Sequence, residues 1–137
     1  MRTQYVPTWT ANIFIGSCEG YDGPCFTEYR VLEAIAEYQR LAPEGERGCV
    51  RISECTYKFA AYEEAGWVIS VLNYPRLPLS AANLERFARR LAEHLLVTLK
   101  QNRVSVEMPT ETLLFESDGA EQAPVLPHCT PTTKNMV

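Results

Sequence analysis

Two segments with the helical period, each set among segments with the strand period, restrict what this chain can fold into more than any other feature. TANIFIGS, Thr10 to Ser17, is a short apolar run ended by Gly16, and it reads as a buried strand entering the loop CEGYDGP. Thr27 stands where a helix cap is expected, and Val31, Leu32, Ile35, Ala36, Gln39 and Ala42 fall on adjoining turns before Pro43 ends the helix. After the polar connection PEGERG, the runs CVRISECTYKF and WVISVLNY are rich in β-branched and aromatic residues and read as a hairpin. Ser80 caps a second helix, in which Leu84, Phe87, Ala88, Leu91, Leu95 and Leu99 share one face while Glu85, Arg86, Arg89, Arg90 and Glu93 take the solvated one. RVSVEM follows as a fourth strand, Pro109 interrupts, and ETLLFE either continues the sheet or forms a short fifth strand.

The order β-α-β-β-α-β predicts an α+β fold of the ferredoxin-like kind, an antiparallel sheet with both helices on one face. Its strands carry apolar side chains on both phases: Ile13 and Ile15 against Phe14, and Trp67, Ile69 and Val71 against Val68, Leu72 and Tyr74. Such a sheet needs cover on its second face, and this predicts a homo-oligomer, most simply a trimer. With 137 residues, 46% of them hydrophobic, the chain can fill one core but not two. Residues 1–116 are therefore expected to form one domain. Residues 117–137 read as a Pro/Thr-rich C-terminal extension, either flexible or lying along a neighbouring subunit.

The balance of charge narrows the partners. A net charge of −4 and a pI near 5.2 argue against duplex nucleic acid and membrane surfaces, which are bound through surplus Lys and Arg. No apolar run reaches the roughly 18 residues of a membrane span, and the opening MRTQYVPTWTANIF is not built like a secretory signal, so a cytoplasmic protein is expected. Cys18, Cys25, Cys49, Cys55 and Cys129 form no C-x-x-C pair, and only His94 and His128 are available to join them, so no metal site is expected. The cysteines read as reduced and mostly buried, with Cys18 and Cys25 half-exposed around EGYDGP.

The stretch ISECTYKFAAYEEAGW, Ile52 to Trp67, is the one place where chemistry gathers. Val50 and Ile52 put the apolar phase on even positions, whereas Cys55, Tyr57 and Phe59 put it on odd ones. A β-bulge near Ser53 and Glu54 reconciles the two phases. The chain must then turn within AAYEEAG, which places Glu63 and Glu64 at the hairpin end, where solvated acids are normal. Against that reading stands their aromatic company, Tyr57, Phe59, Tyr62 and Trp67, which suits a cationic or flat ligand. The rest of the chain offers no phosphate-cradling glycine loop and no His–Ser or His–Cys pairing.

Glu54-x-Thr56, then Tyr62-x-Glu64-Ala65 after a gap, with ANIF at Ala11 to Phe14 in the first strand and the β-α-β-β-α-β order, resemble the small phage enzymes that destroy S-adenosylmethionine (SAM), known as SAM hydrolases or SAM lyases. The resemblance runs from about Thr10 to Glu116. Family members can carry a longer hairpin with the paired acids further along, so either Glu63 or Glu64 corresponds to the functional glutamate.

The resemblance implies a ferredoxin-like trimer with active sites between subunits, using no cofactor and no metal, and cleaving SAM to 5′-methylthioadenosine and homoserine lactone. Glu64 and Glu63 are then the candidate catalytic residues. Tyr57, Tyr62, Thr56 and Phe59 are candidates for holding the substrate, with Ser17 and Tyr21 contributed by the loop after the first strand. Three alternatives stay open: hydrolysis of SAM to homoserine by a glutamate-activated water, a non-catalytic trimeric binder of nucleotides or other small molecules, and an interaction protein in which both glutamates are solvated.

Overall fold

The computed structural model describes residues 1–118. Except for its first two residues, the expected C-terminal extension, with His128 and Cys129, lies outside the described residues. Within them the chain forms β1 (Thr10–Gly16), α1 (Glu28–Leu41), a 3-10 turn (Glu44–Glu46), β2 (Cys49–Phe59), β3 (Tyr62–Leu72), α2 (Ala81–Thr98), β4 (Arg103–Glu107) and β5 (Thr112–Glu116). ETLLFE is thus a fifth strand.

The strands form an antiparallel sheet in the order β2-β3-β1-β4-β5. Because β3 lies between β1 and β2, and β1 between β3 and β4, each β-α-β unit is split by a strand of the other. That interleaving is the arrangement expected from the order of elements, with β5 added at one edge. Among the described residues no helix is long and apolar enough to cross a membrane.

One face of the sheet carries the core. Ala11, Ile13 and Ile15 pair with Val71, Ile69 and Trp67, and all six are buried, as are Val104 and Val106 of β4. Against them pack Val31, Ala34 and Ile35 of α1 and Leu84, Phe87, Ala88, Leu91, Ala92 and Leu95 of α2, at the spacing of a single helical stripe. Leu32, expected inside, is instead 44% exposed. The two caps differ: Ser80 Oγ accepts the Asn83 amide at 3.1 Å, whereas Thr27 occupies the cap of α1 without using its side chain.

Three expectations are corrected. No bulge interrupts β2: its pairing with β3 runs unbroken from Cys49↔Leu72 to Phe59↔Tyr62. The phase change has another cause. Near Val50 and Ile52 the helix-side face of β2 packs on the core, but further along Glu54, Thr56 and Lys58 occupy that face and are exposed, while Cys55 and Tyr57 on the opposite face become half-buried. The shift in burial needs no extra residue in the strand. Second, Glu63 and Glu64 are not in the turn, which consists of Ala60 and Ala61; both acids are strand residues. Third, Cys18 and Cys25 are not reduced: they form a disulfide that closes the loop between β1 and α1, and Cys49 and Cys55 are the free, half-buried thiols among the described residues.

Ala60 has φ of 52°, in the left-handed region that a Cβ disfavours. Ala60→Gly is therefore expected to stabilise the protein by about 1 kcal/mol, the relief of that strain outweighing the extra entropy of glycine in the unfolded chain. Urea unfolding should show a higher midpoint with an unchanged slope.

Candidate active site

Successive strand residues point to opposite faces, so the unbroken β2–β3 register separates the two glutamates. Glu64, opposite Tyr57, faces away from the helices, and Glu63, opposite Lys58, faces the helix side. Glu63 lies 2.9 Å from Lys58 Nζ with both side chains more than half exposed, an ion pair that contributes little. Glu64 is half-buried. Its Oε2 accepts a 2.6 Å hydrogen bond from Tyr62 Oη, two residues away on the same face.

Two glycines make room for this arrangement. A Cβ on Gly16 would collide with Glu64 Oε1, so the carboxylate rests where only glycine leaves space. A Cβ on Gly66 would lie 2.6 Å from the Tyr57 ring and would also strike the Ile15 carbonyl oxygen. The Tyr57 ring thus lies over Gly66, its hydroxyl donates to the Trp67 carbonyl at 2.7 Å, and Phe14 meets it edge-on at 6.0 Å between centroids.

Below Glu64 the backbone is tied by Gln101, only 5% exposed. Its Oε1 accepts the Gly16 amide at 2.9 Å, and its Nε2 donates to the carbonyls of Cys18 at 3.0 Å and Leu99 at 3.3 Å. One side chain therefore joins the end of β1, the disulfide-closed loop and the connection after α2. That loop carries Tyr21, whose hydroxyl accepts from Arg103 Nη1, while Arg103 Nε donates to Glu116 Oε2 at 3.0 Å.

The structure thus brings together Glu64, Tyr62, Tyr57 and Tyr21 of the expected residues. Phe59 shares their face at the hairpin end and is 40% exposed. Thr56, like Glu63, lies on the other face. Ser17 donates its amide to the Ala65 carbonyl at 3.1 Å and, with Glu54, Thr56, Ala65 and Trp67, lines a separate cavity of about 430 Å³. Trp67 is buried on the helix side and stacks on Phe26, away from Glu64. Gly16, Gln101 and Arg103 were not singled out from sequence. Gly16 carried a signal, a glycine ending a buried strand, but the other two become neighbours of the site only through strand pairing.

Both tyrosine hydroxyls resist ionisation. Burial, reinforced by the hydrogen bond to Glu64 and by that residue's charge, pushes the Tyr62 phenol up to about 12. Burial, with a further contribution from Cys55, raises Tyr57 further still. A phenol whose folded pKa is raised contributes stability that is present below its ordinary value of 10.0 and is lost as pH climbs toward the folded value. Stability is expected to fall between pH 10 and about 12. Absorbance titration should show Tyr62 ionising late, and Glu64→Gln should bring it back toward 10.0.

No protein-family model and no curated protein sequence matches the chain. Solved structures do. A phage SAM lyase in its apo state superposes with a TM-score of 0.59 at 19% identity, covering 80% of this chain and 90% of its own. A phage SAM lyase in complex with S-methyl-5′-thioadenosine gives 0.57 at 17% identity, covering 85% and 95%. Over most of its length, the chain has the fold of the phage SAM lyases.

Proposed function

We propose that the chain degrades SAM to 5′-methylthioadenosine and homoserine lactone on the open face of its sheet, with Glu64 as the central residue. The observation that carries this reading is the seat of Glu64: a half-buried carboxylate held by Tyr62 above Gly16 and flanked by Tyr57, on a fold shared with phage SAM lyases. Shared fold with a lyase that binds the methylthioadenosine product supports the substrate class, and the site's chemistry supports the reaction.

SAM supplies its own nucleophile and leaving group. Its carboxylate attacks the γ-carbon, the C–S bond breaks with its electron pair going to sulfur, and the opposite charges cancel as the transition state forms. Such a reaction gains from folding of the methionine chain and exclusion of water, and asks for neither a base nor a metal. In this reading Glu64 draws in the cationic part of the substrate, and Tyr57 and Tyr62 supply aromatic faces for the sulfonium or adenine. Tyr62, by holding Oε2, leaves Oε1 directed over Gly16.

Residues 1–116 act as one domain, and we place it in a homotrimer whose neighbouring copies complete the open face. The support is the exposed aromatic and apolar character of Phe59, Tyr62 and Leu114 on that face. The trimer should appear as a mass three times that of the chain in light scattering.

The test is turnover with product identification. Wild-type protein is expected to convert SAM to methylthioadenosine and homoserine lactone. Glu64→Gln should lose about 100-fold or more of that rate, whereas Glu63→Gln should keep it. Homoserine formed directly would indicate hydrolysis instead. Recovery of intact SAM from a protein that binds it would indicate a binding protein, and equal losses in the two variants would remove Glu64 from its assigned place.

A further inference from the structure

The pairing of β1 with β4 ends at Phe14↔Ser105, two residues before β1 itself ends, whereas its pairing with β3 continues to Gly16↔Gly66. On the β4 side the Gly16 amide turns to a side chain instead, donating to Gln101 Oε1 at 2.9 Å. Gln101 is delivered to that place by the end of α2. Lys100 has φ of 50°, its amide donates to the Val97 carbonyl at 3.3 Å, and the Gln101 amide donates to the Leu96 carbonyl at 2.9 Å, the pattern of a helix closed by a left-handed residue. The residue after such a closing residue usually makes an apolar contact with the last turn. Here it carries an amide, 5% exposed, whose Nε2 donates to the carbonyls of Cys18 and Leu99 at 3.0 and 3.3 Å. A helix rooted in the core thus holds one polar group against the end of β1. Two side chains converge there, since a Cβ on Gly16 would collide with the Glu64 carboxylate and would lie 3.5 Å from Gln101 Oε1.

We propose that Gln101 is a positioning residue for Glu64: by holding the Gly16 amide it fixes the floor over which Glu64 Oε1 lies, and so where the carboxylate meets the cationic part of the substrate. The proposal rests on the SAM reading above and adds to it a residue that acts through another. A small shift of that floor matters, because misplacing a reacting group by about 1 Å can cost about 100-fold in rate. An apolar side chain would fill the same volume and complete the helix end, but it would leave the Gly16 amide and the Cys18 carbonyl without these partners.

Two variants separate this role from a structural one. Gln101→Met keeps the length of the side chain and removes the amide. Gln101→Glu keeps an oxygen for Gly16, and a carboxyl buried beside two carbonyls holds its proton and donates to one of them. Gln101→Met is expected to lower kcat/KM for SAM about 10-fold or more. It should also bring the Tyr62 phenol, followed by absorbance titration, from about 12 part of the way to 10.0 as the bond to Glu64 loosens. Gln101→Glu should keep turnover within about threefold of wild type and leave Tyr62 ionising late. In a Glu64→Gln background, Gln101→Met should change neither turnover nor the Tyr62 titration further, because the two residues act as a unit. A wild-type Tyr62 titration in Gln101→Met, or losses in the two single variants that simply multiply in the double one, would overturn the proposal. Should Gln101→Met not fold, Gln101→Glu decides alone: turnover and titration both kept support the proposal, and loss of both from a folded protein overturns it. Wild-type protein that leaves SAM intact overturns the SAM reading alone, and the Tyr62 titration then decides for or against Gln101.

Discussion

The register between β2 and β3 is the constraint on which the rest of the site depends. Eleven residues of β2 pair with eleven of β3 without a bulge, and this fixes which face each side chain takes. A slip of one residue would exchange Glu64 for Glu63, send Tyr57 and Tyr62 to the helix side and bring Thr56 and Lys58 to the open face. The register is held from the other end of the strand, where Trp67, Ile69 and Val71 must all enter the core, partnered on β1 by Ile15, Ile13 and Ala11. Burial of those side chains costs the hairpin its freedom to slide, and the chemistry at its far end inherits that order.

The same logic explains why one sheet supports two surfaces of different character. The helices cover one face over β1, β3 and β4. The opposite face keeps a polar row, in which buried Ser70 donates to Asn12 Oδ1 at 2.7 Å and Asn12 donates to Glu107 Oε1 at 2.9 Å, beside the aromatic cluster of Phe14, Tyr57 and Tyr62. Close-packed interiors are rarely built in this way, whereas ligand sites and subunit contacts commonly mix aromatic faces with a few fixed polar groups.

Much of the fold could be read from the sequence because local patterns dictate it. Leu84, Phe87, Ala88, Leu91 and Leu95 form an unbroken helical stripe, and the two runs of β-branched residues around Ala60 pair as a hairpin. The site was read less completely. Its hairpin half was visible, since Tyr57, Tyr62 and Glu64 are close in sequence. The opposite half, Gly16, Gln101 and Arg103, lies on both sides of the hairpin in sequence, with 85 positions separating Gly16 from Gln101, and only sheet pairing brings these residues near. The change of apolar phase in β2 was misread as a bulge because the alternation records which face is covered, and the cover changes along the strand. The disulfide escaped for a related reason: a separation of seven residues says nothing about whether a loop folds back on itself, as the bridging of Cys18 and Cys25 across it requires.

The central claim is that function resides on the open face, at Glu64, and not in the helix-side cavity beside Thr56 and Trp67. A crystal structure of the protein with S-adenosylhomocysteine tests it most directly. The account predicts the ligand against Tyr57 and Tyr62, with its ammonium group toward Glu64. Density for the ligand in the cavity lined by Thr56, Ala65 and Trp67, with the open face unoccupied, would contradict it.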